Sequence, residues 1–521
     1  MGVSEQRRSS TGGTTVPGNG LWRTKSVEQS IADTDEPDTR LRKDLTAWDL
    51  TVFGVAVVIG AGIFTLTAST AGNLAGPSVS LAFVLAAVAC ALAALCYAEF
   101  ASTVPVAGSA YTFSYATFGE FMAWIIGWDL VLEFAVGAAA VAKGWSLYLQ
   151  TVLGQLGVSV KTTASVGGVD VDWGSVLLIV VLTALLVLGT KLSSRVSAVI
   201  TAVKVAVVLL VIVLGFGYVK AANYSPYIPP AESGGTTASG LEQSLFSLVT
   251  GFEGSTYGVL GLLAAASLVF FAFIGFDVVA TTAEETRNPQ RAVPRGILGS
   301  LAIVTVLYVA VSLVITGMLP YDQLKTQPDG TRATLATAFS ANGVDWAATV
   351  ISVGALAGLT TVVMVLMLGQ SRVLFAMSRD GLLPRGLART GEHGTPFRIT
   401  VIIGVLVAVA AGFFPAGKLE EMVNVGTLFA FILVSAGVLV LRKTRPDLPR
   451  GFRVPLVPLV PVLAILACLW LMLNLTALTW VRFLVWMALG VVVYFAYSRR
   501  HSLLGRKGAT AVPVVKHDEI P

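Results

Sequence analysis

Two stretches decide the reading of this chain: Val57-Val58-Ile59-Gly60-Ala61-Gly62-Ile63-Phe64 and Phe270-Phe271-Ala272-Phe273-Ile274-Gly275-Phe276-Asp277. Each sets Gly near the middle of a long apolar run, and Gly in a helix interior is costly relative to Ala. A helix that breaks there frees backbone N–H and C=O groups. Lipid tolerates such groups only where they line a cavity or are buried in protein. The second run, residues 256–285, would be about 45 Å long as one helix, against a hydrocarbon core of about 30 Å. That excess fits a broken or strongly tilted helix. Close helix packing accounts for either glycine patch taken alone.

Around these stretches the chain is apolar throughout. Of its 521 residues, 55% are hydrophobic and 12% charged, against about 25% charged in an average soluble domain. Mean hydropathy is +0.79, which excludes a soluble globule. Apolar runs cover about 47–72, 78–101, 122–150, 173–190, 196–219, 256–285, 296–318, 346–370, 399–414, 422–441, 455–475 and 480–498. With about 20 residues needed per crossing, they predict an all-α polytopic membrane protein of about twelve transmembrane helices, the ninth short. An even number puts both termini on one side. With the amino terminus inside, 27 of the 35 Lys and Arg fall on inner segments and 6 on outer ones, as the positive-inside rule requires. The first apolar run follows a polar stretch, so no signal peptide is read.

The organisation expected is a disordered cytoplasmic tail (1–44), helices one to five (45–219), an extracellular loop (220–255), helices six to ten (256–441), two further helices (442–498) and a cytoplasmic tail (499–521). Within the loop, Leu241, Leu245, Leu248, Val249 and Phe252 recur at helical spacing. They predict either a short interfacial helix or a loop packed on the outer mouth.

The two glycine breaks fall in helices one and six, which correspond if one to five and six to ten form inverted halves. Matched interruptions of this kind point to a carrier's midplane site. Half-helix N–H groups suit a carboxylate and freed carbonyls suit an ammonium. A small zwitterion satisfies both.

Charges inside the bilayer are the next candidates. Lys204 lies roughly 13 Å deep in the fifth run, where a Lys is costly and should face the bundle interior. An ammonium that releases a proton in one conformation and regains it in another is a candidate coupling group; snorkelling to the inner surface is the alternative. Glu133, central in the third run, reads as a proton relay, a selectivity group for a cationic substrate, or an internal partner of another helix. Asp277 beside the sixth-helix break either caps the second half-helix or sees substrate. Lys143 is expected to snorkel, and Glu99 to be a structural or gating charge. Cys90, Cys96 and Cys468 lie in apolar runs and His393, His501 and His517 in polar ones, so no metal site or disulfide framework is read from them.

Several motifs carry a family resemblance. Gly60-Ala61-Gly62-Ile63-Phe64, and Tyr97-Ala98-Glu99-Phe100 followed by Pro105-Val106-Ala107-Gly108-Ser109-Ala110-Tyr111, resemble the amino acid–polyamine–organocation superfamily. Gly275-Phe276-Asp277 through Ala283-Glu284-Glu285-Thr286-Arg287-Asn288-Pro289 to Val293-Pro294-Arg295-Gly296-Ile297 is similar to its cationic amino acid transporter branch. So is Gln370 through Pro384. The resemblance runs from about residue 40 to about residue 500.

It implies a 5+5 inverted repeat with broken helices 1 and 6, plus two extra helices, working by alternating access. It also implies a site in which the substrate carboxylate meets N–H groups of Ala61, Gly62 and Ile63. The substrate ammonium would meet carbonyls of Ile59, Phe271, Ala272 and Ile274. Lys204 matches the fifth-helix lysine of proton-coupled members, with Thr360 and Thr361 as candidate neighbours.

The function expected is secondary active transport of amino acids, cationic Arg or Lys and/or small neutral ones, across the cytoplasmic membrane. Proton-coupled symport leads, exchange is the close variant, and a non-transporting membrane sensor is the alternative of another class. The tails show no output module that a sensor would need. The expected partners are an L-amino acid, protons and the lipid bilayer, with no cofactor and no nucleic acid; a small single-span partner is left open. An enzyme is not expected, since no His cluster, Cys pair or Gly-x-Ser-x-Gly elbow is present.

Overall fold

A computed structural model describes residues 44–504 apart from 105–108, 159, 167, 190–193, 234–239, 253–254, 328–329 and 389–395. The expected amino-terminal tail up to residue 43, the carboxyl tail from 505, and Pro105 to Gly108 of the family motif therefore lie outside the described residues.

The structure is 80% helix and 3% strand, so the chain is an all-α polytopic membrane protein. Among the described residues, 8 helices are long and apolar enough to cross a membrane. Three shorter apolar ones, Trp173–Val187, Phe397–Phe413 and Leu459–Leu473, accompany them. The first of the long helices, Ala47–Thr103, has 57 residues, about 85 Å as a single rod, far beyond one crossing. It is broken after Val58 and turns at Gly76, whose φ is +62°, so it carries the first two runs. The remaining spans are Glu120–Gln155 (third), Trp173–Val187 (fourth), Ser194–Phe216 (fifth), Pro289–Met318 (seventh), Asp345–Arg379 (eighth), Phe397–Phe413 (ninth), Ala416–Thr444 (tenth), Leu459–Leu473 (eleventh) and Ala477–Val493 (twelfth). The sixth is interrupted: Gly258–Val269 is α-helical, and Phe276–Glu285 continues as a 3₁₀ helix. The ninth, expected to be short, has 17 residues.

Packing partners recur at an offset of five spans. The first packs on the seventh and the sixth on the second, while the third packs on the tenth and the eighth on the fifth. The third and eighth, second and seventh, and fourth and ninth each pack on their own counterpart. Two halves of five helices with one shared plan give this pattern, and the eleventh and twelfth lie outside it.

Polar ties at the ends join segments that the charge count assigns to one side. On the basic face, Arg442 forks onto Glu99 at 2.8 and 2.6 Å, Val454 N–H adds a bond of 2.7 Å, and Arg450 lies 3.4 Å away. The carboxylate of Glu99 thus bolts the second span to the tenth. On the opposite face Arg332 meets Glu420 at 2.7 Å, and Asn73 donates to Thr326 at 2.9 Å. Lys143, expected to snorkel, instead pairs with Asp172 at 3.4 Å. Asp172 also caps the fourth span through Ser175 N–H, so a fixed anion is available and the lysine turns to it. The loop helix is shorter than its pattern: Leu241 lies in a 3₁₀ turn, Gly240–Glu242, and the α-helix covers Leu245–Thr250, anchored by Leu245 N–H on the Leu475 carbonyl at 2.9 Å. Leu248, Val249 and Phe252 are exposed.

Candidate functional site

The first helix ends at Ile59, whose φ of −68° and ψ of 94° leave helical space. With Gly60 out of the helix, the carbonyls of its last turn lose their intrahelical donors. Two are taken by side chains from other spans. Lys204 donates to the Ala56 carbonyl at 2.8 Å, and Tyr308 of the seventh span donates to Val58 at 2.7 Å. A cation at a helix carboxyl end is favourably placed. Lys204 is 2% exposed, so it does not snorkel. It lies against Gly358, where an added Cβ would come 2.9 Å from its Cγ. Thr360 and Thr361 stand close by on the same helix, but their hydroxyls donate to Leu356 and Gly358 carbonyls at 2.8 and 2.7 Å.

Beyond the break the chain resumes at Ala61 and runs as a π-helical turn over Gly62–Leu66. Such turns are rare and often mark functional sites. The N–H groups of Ala61, Gly62 and Ile63 open this half-helix and have no intrahelical acceptor. A Cβ on Gly62 would fall on the backbone of Ala272, so only Gly lets the first and sixth spans cross here. Gly62 of the first span and Ala272 of the sixth, both among the expected site residues, are thereby brought together.

In the sixth span Phe270–Phe273 tightens to a 3₁₀ turn, Ile274 is extended, and Gly275 has φ +115°. Gly275 therefore has to be Gly. The Phe271 carbonyl accepts a bond of 3.3 Å from Ile274 N–H. Gly275 stands at the cap position with no side-chain bond of its own, and the Asp277 carboxyl meets the backbone N–H groups of Gly275, Asp277 and Val278 that open the second half, as the capping alternative expects. That carboxyl is buried, and Oδ1 has no hydrogen-bond partner.

Glu133, 2% exposed, lies within electrostatic reach of Asp277 and of Asp129, one turn earlier on its own span. Sequence reasoning passed over Asp129 and Tyr308. The i, i+4 spacing of Asp129 and Glu133 was a usable signal for the former; nothing local marks the latter.

The break region is covered on both sides. Tyr257 donates to the Gly72 carbonyl at 2.5 Å, and Tyr321 packs edge-on against it at 5.0 Å. On the basic face Arg287 N–H bonds the Leu45 carbonyl at 3.1 Å.

Residues 45–496 match the family of amino acid permeases. The chain is 44% identical over 494 residues to the branched-chain amino acid permease BcaP of Bacillus subtilis (strain 168), covering 93% of this chain and 99% of that one. It is 42% identical over 492 residues to a methylthioribose transporter of the same organism, with the same coverage. Similarity to cationic amino acid transporter 4, vacuolar, of Arabidopsis thaliana is lower, 37% over 434 residues, covering 82% of this chain and 68% of that one. These relatives are named as transporters or permeases and not as enzymes. With two broken helices crossing at Gly62 and a match that spans nearly all of the described residues, the chain belongs to the amino acid permease family.

Proposed function

We infer that this protein moves amino acids across the cell membrane by alternating access, in symport with protons, with its basic face and both termini in the cytoplasm. The observation that carries the reading is the Lys204 bond to the Ala56 carbonyl at the first-helix break. A lysine there holds the broken end closed while it carries a proton and releases it when it does not. The proton is thereby tied to the geometry of the substrate site. The substrate carboxylate is received by N–H groups of Ala61, Gly62 and Ile63, and its ammonium by carbonyls of Ile59, Phe271, Ala272 and Ile274.

For the substrate side chain, a neutral aliphatic group is favoured. The flank of the first break is apolar, with Val362 facing Gly60. The similar Bacillus protein named for branched-chain amino acids points the same way. A cationic substrate is the second reading, favoured by the unpartnered oxygen of Asp277.

Uptake of labelled Leu, Ala, Arg and Lys into proteoliposomes, with and without an inward proton gradient, tests all of this. Methylthioribose serves as a competitor. Leu or Ala uptake raised by the gradient is expected. Gradient-insensitive uptake that needs internal amino acid would make the protein an exchanger. Arg or Lys preference would transfer the side-chain role to Asp277 and Glu133.

A further inference from the structure

Behind the sixth span, away from Lys204, a second set of polar groups is buried without partners. Asp129 of the third span is 0% exposed, and neither of its carboxyl oxygens has a hydrogen-bond donor. It packs against the tenth span at Gly426, where an added Cβ would come 2.8 Å from Oδ1. Only the absence of a side chain there admits it.

Further buried polar groups lie on the adjoining spans. The Tyr97 hydroxyl and Asn424 Oδ1 lack partners, Thr427 Oγ1 faces the Glu133 carboxyl, and Tyr97 lies within electrostatic reach of Asp129, Glu133 and Asp277 together. Its ring packs on Phe276 at 6.1 Å and Phe431 at 5.3 Å, which sets it between the sixth and tenth spans. Asn424 ties those two spans together by donating to the Ser267 carbonyl at 2.9 Å, and its acceptor oxygen is left over.

The titratable groups facing the cluster are Glu133 on the same helix, Asp277 from the sixth, Tyr97 from the second, and Cys468, which faces Tyr97 from the eleventh. The tenth contributes Asn424 and Thr427, and the eighth contributes Gln370, which donates to the Val131 carbonyl and keeps an unpartnered Oε1. The carboxyl and amide oxygens left over are acceptors only and outnumber the two hydroxyls, which can donate or accept. An ionised carboxylate without donor or cation is strongly disfavoured in an apolar interior. Such a set calls for a positive charge. Among the described residues no three His, Cys, Asp or Glu are grouped to hold a metal ion, so a single charge fits better than a divalent one.

We propose that Asp129, seated against Gly426 with Tyr97 in reach, is a second cation site of this carrier, between spans two, three, six and ten, taking a proton or a monovalent cation in its place. The inference rests on the coupled-transport reading and adds to it a second bound charge per cycle. Asp129 sits roughly 14 Å from the basic end of its helix, and Glu133 and Asp277 continue the series toward the break. Charge bound at Asp129 is thereby linked to the state of the sixth span.

The test compares wild type, Asp129→Asn and Asp129→Glu in proteoliposomes, using whichever amino acid the wild type accumulates. Gradient-driven accumulation and substrate counterflow are read at several pH values, in sodium and in choline buffer. Each coupled proton multiplies the attainable accumulation about tenfold per tenfold gradient. Asp129→Asn is expected to lower the ratio by about that factor, to keep counterflow, and to be rescued by Asp129→Glu. If the wild type needs sodium and Asp129→Asn loses that need, the site is assigned to sodium. Accumulation by Asp129→Asn equal to wild type under every condition overturns the proposal. So does an equal loss of counterflow and accumulation that Asp129→Glu does not rescue. A wild type with no ion-driven uptake would instead refute the coupled reading on which the proposal rests.

Discussion

At the first break the freed carbonyls are occupied by donors from distant helices, Lys204 on Ala56 and Tyr308 on Val58. At the sixth, the chain turns through Gly275 at φ +115° and leaves Asp277 Oδ1 without a partner. At one break two carbonyls are held by the protein's own side chains, and one of the donors is ionisable. The other keeps one carboxyl oxygen, Asp277 Oδ1, without a partner. On the proposed reading, the first break would tie the proton to the geometry and the sixth would read the substrate's own charge.

The contrast can be broken in order of severity. Gly62 serves both breaks, because a side chain there would fall on Ala272. Gly62→Val should therefore remove uptake of every amino acid alike, by about a hundredfold or roughly 2.8 kcal/mol, measured on protein at wild-type membrane level. Loss confined to one side-chain class would mean that the residue reads side chains. Lys204→Ala should abolish proton-driven accumulation while counterflow survives. Wild-type pH dependence in that variant would remove Lys204 from the coupling.

A smaller and sharper effect is expected at the other break. Asp277→Asn should cut uptake of a cationic amino acid by about tenfold, or 1.4 kcal/mol, and leave a neutral one near its wild-type rate. An equal fall for both would show a structural carboxyl. Tyr308→Phe removes one donor from an already broken helix end and should slow transport only about fivefold, as befits a bond of about 1 kcal/mol. Its cost should also appear as a lowered Tm of the solubilised protein.

Much of this was legible in the sequence because the bilayer imposes long-wavelength rules. Crossing length marks the apolar runs, and glycines mark the two interruptions. The Lys/Arg bias places Glu99 with Arg442, and Arg332 with Glu420, on common faces, where the structure finds them paired. What stayed hidden is tertiary or finely local. Asp172 precedes the fourth helix, and no periodicity links it to Lys143. The π-helical turn at Gly62–Leu66 and the 3₁₀ course of Phe276–Glu285 depend on which helices press against them. Tyr308 is one polar group in a long apolar helix until the partner carbonyl of Val58 is known.

The bond between Arg287 N–H and the Leu45 carbonyl, part of a parallel bridge between Leu45 and Thr286, has a mechanical consequence. It fastens the basic end of helix one to the basic end of helix six, below both interruptions. On the proposed alternating-access reading the two lower halves would move as a single lever with its pivots at Ile59 and Gly275. Such a lever carries only the Ile59 carbonyl with it, while the carbonyls of Phe271 and Ala272 and the N–H groups of Ala61 to Ile63 stay with the upper halves. The substrate's ammonium would then lose its partner on the first helix while its contacts to the upper halves hold.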